Sequence, residues 1–214
     1  MAAAAALAVA GAALGLAAWR SAGPGPAMPA TPFVENRARE PGVVTEQVHL
    51  VGRHRGERQW ELDAVRIELP EADARIRFGR VSRGVFYRGP EPLLWFEGDG
   101  GSYDAPAARL YLRGAFRLRD ARGDRLEASE LLWDGPRAQL STNRPVRLQG
   151  EGLDLRADAM TLDVERAVAH FTGDVVVRQA SGGTVRASRV DWYVDTGEIQ
   201  LFGPSSAEGP GEGR

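Results

Sequence analysis

From Val43 onward, apolar and polar residues alternate in short runs separated by turn residues. The clearest run comes near the end. Residues 185–201 read VRASRVDWYVDTGEIQL, with apolar side chains at Val185, Ala187, Val190 and Trp192. The spacing is apolar-x-(Ala/Gly)-x-x-apolar-x-apolar, usually with an Asp soon after. It recurs at Leu62, Ala64, Ile67 and Leu69, at Leu126, Ala128, Leu131 and Trp133, and at Leu155, Ala157, Met160 and Leu162. A weaker copy has Gly98 in the small-residue slot, after Phe96 and before Gly101 and Tyr103. The small residues at 64, 98, 128, 157 and 187 lie 34, 30, 29 and 30 residues apart. A near-constant period around 30 predicts a repeat architecture.

Each unit switches parity. Val185 and Ala187 share one face of a strand, whereas Val190 and Trp192 share the other. Side chains alternate across a strand, so the second pair would leave the core unless the chain bends. A bulge or corner after the small residue resolves this. Each unit is therefore expected to be one bent strand, a turn and a return strand. Val44, Val48 and Leu50 share a parity and predict a first strand, with a polar turn over 52–58. Residues 74–88 alternate apolar residues with Arg and predict a half-exposed strand. Further strands are expected through Leu110 to Leu118, through Leu140, Val146 and Leu148, and through Phe171 to Val177. Turns are expected at 120–124 and at Gly182-Gly183. No stretch beyond residue 40 carries a helical period over ten or more residues. The fold class is all-β, built from strand-pair repeats of about 30 residues, as a sandwich, jelly roll, open barrel or solenoid.

The N-terminus differs. Residues 2–18 carry no charge, and Trp19 and Arg20 close the run. This apolar segment (1–19) is expected to be a helix: a single membrane anchor, a cleaved signal peptide or a buried helix. Residues 20–42 are rich in Pro and Gly and predict a tether. The β domain is placed at 43–203, and 204–214 form a polar tail.

Composition removes several function classes. The chain of 214 residues carries a net charge of −2, so it has no basic field for nucleic acid. It has no Cys, which excludes disulfides and thiolate metal sites. Its 27 basic residues are all Arg. His49, His54 and His170 are scattered without metal-ligand spacing. Ser82, Ser102, Ser129 and Ser141 sit in no nucleophile elbow. The glycine-rich stretch Gly98 to Asp104 does not open a helix and lacks calcium-loop spacing, so it is read as a turn. Asp134, Asp163 and Asp195 recur with the strand period and are read as turn formers. No cofactor, metal or catalytic group is expected.

Trp60-Glu61-Leu62-Asp63-Ala64 resembles the W-x-L-x-A signature near the start of the LptC periplasmic domain. His170 to Val177, followed by Gly183 to Trp192, resembles the F-x-G-(N/D)-V-x-V motif and following strand of the OstA-like repeats shared by LptA and LptC. The resemblance covers about residues 43–202, and the apolar N-terminus with its Pro-rich tether has the LptC layout. It implies an open, twisted β-jelly roll, anchored by one span in the inner membrane with its β domain in the periplasm. It also implies a groove for the acyl chains of lipopolysaccharide. Partners would be an inner-membrane ABC transporter of the LptF/LptG kind and an LptA-like periplasmic bridge, both docked by edge-strand addition. The candidate groove residues are Leu62, Ile67, Phe96, Leu131, Trp133, Met160, Leu162, Val190 and Trp192. The same side chains could also pack together as a closed core. The candidate edges run from Val43 to Val51 (Val44, Val48, Leu50) and from Val185 to Leu201 (Val185, Ala187, Val190), because an unclosed sheet leaves backbone groups free to pair. Competing readings are a soluble LptA-like bridge, a structural or glycan-binding β-solenoid, and an enzyme on a β scaffold.

Overall fold

The computed structural model describes residues 43–69, 75–203 and 206–208. The expected N-terminal helix and tether lie outside them. Among the described residues, sixteen strands form one antiparallel sheet. They are β1 (Val43–His54), β2 (Glu57–Leu69), β3 (Arg75–Phe78), β4 (Val81–Arg88), β5 (Glu91–Gly98), β6 (Gly101–Asp104), β7 (Arg109–Arg119) and β8 (Arg125–Asp134). There follow β9 (Gln139–Thr142), β10 (Val146–Gly150), β11 (Leu153–Ala157), β12 (Ala159–Asp163), β13 (Val168–Gln179), β14 (Thr184–Tyr193), β15 (Ile199–Phe202) and β16 (Ser206–Glu208). Three residues of the stretch read as tail therefore belong to a strand.

The long strands bend and serve two layers. The first half of β2 pairs with β4, and its end pairs with β3. In β7 the first half pairs with β6 and the second with β5. Strand β8 splits in the same way between β10 and β9, and β13 between β12 and β11. Bent pairs (β1/β2, β7/β8, β13/β14) thus alternate with separate short pairs, β4–β5 opposite β3–β6, and β10–β11 opposite β9–β12. The apolar faces of both layers meet in one continuous core. Aromatic contacts cross it: Trp60 meets Tyr103 edge-on with centroids 4.9 Å apart, and Phe86 meets Trp133 at 5.3 Å.

This alternation corrects the single bent-strand unit. The units at 62–69, 126–133 and 185–192 are bent strands, but those at 96–103 and 155–162 break into two strands at Asp99 and Asp158. The strand expected over 74–88 likewise divides into β3 and β4. The structural repeat is therefore two units long. The bulges show why. Thr172 faces Arg189 and Val175 faces Ala187, so Gly173 and Asp174 stand opposite Ser188 alone. Arg113 faces Glu130 and Phe116 faces Ala128, which leaves Gly114 and Ala115 opposite Ser129. Gly114 (φ 103°) and Gly173 (φ 96°) hold left-handed backbone there. Each bulge is capped by the aspartate of a broken unit. Asp99 Oδ2 accepts the Ala115 N–H at 2.9 Å, and Asp158 Oδ2 accepts the Asp174 N–H at 3.0 Å. The parity switch is real: Ser129-Glu130 and Ser188-Arg189 are exposed pairs between buried residues. The extra residue itself sits on the partner strand.

The sheet is not closed. Among the described residues β1 pairs only with β2, as expected for an edge. The other edge requires correction. β14 is flanked by β13 on one side and by β15 and β16 on the other. Ala187 and Val190 point into the core and Val185 is half-buried, so these three residues are not on a free strand. The C-terminal edge lies one strand further out, on β15 and β16.

Candidate functional site

The repeat brings together all nine residues read as groove lining. Leu62, Ile67, Phe96, Leu131, Trp133, Met160, Leu162, Val190 and Trp192 belong to one buried cluster, each at most 5% exposed. They pack against one another between the layers. The return strands add six more inward side chains that the sequence reading placed on strands but not in the groove: Phe86, Leu110, Leu112, Phe116, Phe171 and Val175. Their signal is the strand alternation of those segments.

Aromatic rings cover glycines across strand pairs. Gly84 pairs with Phe96 and Gly52 with Trp60, and a Cβ on either glycine would lie 2.2 Å or 2.0 Å from the facing ring. The glycines let rings lie flat on the sheet and thicken the apolar interior. Two buried polar atoms within it lack a hydrogen-bond partner among the described residues: the indole N–H groups of Trp133 and Trp192. The two residues hold equivalent places in successive double units. A buried donor without an acceptor costs about 1–3 kcal/mol.

The polar residues follow structural roles. His49 Nδ1 lies 2.7 Å from Asp63 Oδ1, and His170 Nδ1 lies 2.8 Å from Asp191 Oδ1. Burial would raise the Asp191 pKa, but hydrogen bonds from Arg189 and His170 outweigh it and hold the carboxyl below its ordinary value. Asp163 caps a turn by accepting the Arg166 N–H at 3.1 Å, as expected of a turn former. Asp134 and Asp195 act otherwise: each takes an arginine, Arg109 at 3.2 Å and Arg88 at 2.7 Å. Among the described residues no group of His, Asp and Glu is placed to hold a metal ion, and no helix is long and apolar enough to cross a membrane.

Among the described residues, the exposed large apolar side chains lie at the two ends of the sheet. Val65 and Leu69 on β2 and Leu201 and Phe202 on β15 are each more than 40% exposed. They sit in the terminal strand pairs at opposite ends of the layers.

These features define an unclosed, two-layered antiparallel β-jelly roll with an apolar interior running from one terminal strand to the other. The chain belongs to the LptC-related family of lipopolysaccharide assembly, whose model matches residues 5–178. Among solved structures it is similar to LptH, the LptA-homologous periplasmic component of the lipopolysaccharide transport device of Pseudomonas aeruginosa. That likeness has a TM-score of 0.44 at 10% identity and covers 54% of this chain and 93% of that one. No curated protein sequence matches the chain.

Proposed function

We propose that the protein is a non-enzymatic carrier that takes the acyl chains of lipopolysaccharide between its two β-layers. It would receive them from an inner-membrane ABC transporter of the LptF/LptG kind and pass them to an LptA-like periplasmic bridge. Residues 1–19 would anchor it in the inner membrane, with the β domain in the periplasm.

One observation carries this reading: two indole donors, Trp133 and Trp192, stand unpaired at equivalent places in a largely apolar interior. A donor in that position favours a ligand that is apolar along its length and brings a hydrogen-bond acceptor. An acyl chain with its ester or amide carbonyl has both properties. Entry requires the layers to part, so Leu131, Met160 and Val190 would exchange contacts with one another for contacts with the chain.

The sheet ends support the transfer. The free backbone of β1 suits strand addition by one jelly roll, and β15 with β16 suits addition by another. The apolar side chains of Val65, Leu69, Leu201 and Phe202 would be covered by those partners. A proline probe of the C-terminal edge belongs on β15, because β15 and β16 cover β14.

Tryptophan quenching tests the lipid reading. A lipid A analogue with brominated acyl chains should quench the emission of Trp133 and Trp192, and Trp133→Phe should remove part of that quenching. Equal emission with brominated and unbrominated analogue would refute it.

A further inference from the structure

The outer face of the layer that holds β10 and β11 carries a charge pattern unrelated to the core. The registers of β7, β8, β10, β11, β13 and β14 set Arg117, Glu127, Arg147, Arg156, Val176 and Arg186 in one row. The next row on the same face holds Arg119, Arg125, Gln149, Asp154, Arg178 and Thr184. Arg147 stands directly opposite Arg156, and Arg119 directly opposite Arg125. Like charges in facing positions destabilise a sheet.

Ion pairs relieve only part of this. Arg147 grips Asp154 with two bonds of 2.8 and 2.9 Å, Arg186 reaches Asp174 at 3.3 Å, and Arg117 reaches Glu97 at 3.5 Å. No carboxylate among the described residues pairs with Arg156 or Arg178. Their positions are diagonal across β11 and β13, within joint reach of one small anion. The Arg147 hydrogen bond holds the Asp154 carboxyl below its ordinary value, and the charges of Arg156 and Arg178 add to that effect.

Both arginines line a concavity of about 870 Å³ beside the corner of the sheet. Five arginines and three carboxylates border it, on a chain whose net charge is −2. Its outward floor is small or apolar at Gly114, Ala115 and Val176, whereas Ala128, Val146 and Ala157 border it with side chains turned to the core. This volume is in the range of ligand sites and far exceeds what an inorganic ion fills. The arginine fork matches phosphate oxygens in geometry as well as charge.

We infer that this outer concavity binds a phosphate-bearing amphiphile, with Arg156 and Arg178 on the phosphate and the alkyl part on the apolar floor. The arginines of this site face outward, so its test is separate from that of the lipid-carrying interior.

The test is calorimetric titration of the full chain with dodecyl phosphate below its micelle concentration. Dodecyl maltoside and inorganic phosphate serve as comparison ligands. Arg156→Gln/Arg178→Gln should weaken dodecyl phosphate binding by about tenfold or more, as expected for losing charge-assisted hydrogen bonds. Maltoside affinity should not change, and inorganic phosphate should bind wild type far more weakly than the amphiphile. The control Arg55→Gln/Arg80→Gln removes the same charge elsewhere and should bind like wild type. All four arginines are exposed, so melting temperatures should agree within a few degrees. Undiminished binding by the Arg156/Arg178 variant would overturn the site, and so would an equal loss in the control. Inorganic phosphate binding as tightly as the amphiphile would overturn the choice of ligand.

Discussion

Gly173→Val should lower the free energy of unfolding by about 3–5 kcal/mol, read by urea denaturation. Gly173 sits at φ 96°, where a β-branched residue is strongly disfavoured. A Cβ there would also lie 2.5 Å from the Asp158 Cβ and 2.6 Å from its Oδ2. That carboxylate cannot simply move away, because it accepts the Asp174 N–H. Strain and displacement of the cap therefore add. The loss is a large part of the roughly 5–15 kcal/mol that stabilises a typical domain. Asp158→Ala, which only removes the exposed cap, should cost about 1 kcal/mol. Gly114→Val should behave like Gly173→Val, since Gly114 (φ 103°) is crowded in the same way by Asp99. A loss below about 1 kcal/mol at both glycines would show that the bulges do not set the corner.

Trp133→Ala should be comparably damaging, at about 3–5 kcal/mol. Trp133 is fully buried and meets Phe86, which stacks on Phe96 at 4.7 Å. Removing the indole leaves a cavity between two layers held apart by other rings, so collapse can fill little of it. Trp133→Phe should cost less than half as much. It keeps a ring against Phe86 and discards the unpaired indole donor. Comparing the two variants by denaturation at one pH separates packing from the orphaned polar group.

The period, the strand content and the inward face of each unit were legible because they rest on local alternation. Leu126, Ala128, Leu131 and Trp133 needed only a parity count. Two things were not legible. The difference between bent and broken units depends on Asp99 and Asp158, whose carboxylates act on residues 16 positions further along the chain. The sequence does hold the clue, since Asp99 with Gly114 and Asp158 with Gly173 recur at the same offset. It is visible only at twice the period first noticed. The C-terminal edge was misplaced because a short strand with a weak apolar pattern, β15, covers β14 through backbone bonds. Backbone pairing of that kind leaves little trace in side-chain periodicity. The arginine face was likewise hidden, because Arg147 and Arg156 become neighbours only through register.

Photo-crosslinking in intact cells tests the lipid-carrying interior most directly. A benzophenone side chain at Phe96 or Met160 points between the layers, whereas at Thr161 it points away from them. The interior reading predicts lipopolysaccharide adducts at Phe96 and Met160 and none at Thr161. No adduct at either inward position in folded protein, or equal adducts at all three, would contradict it.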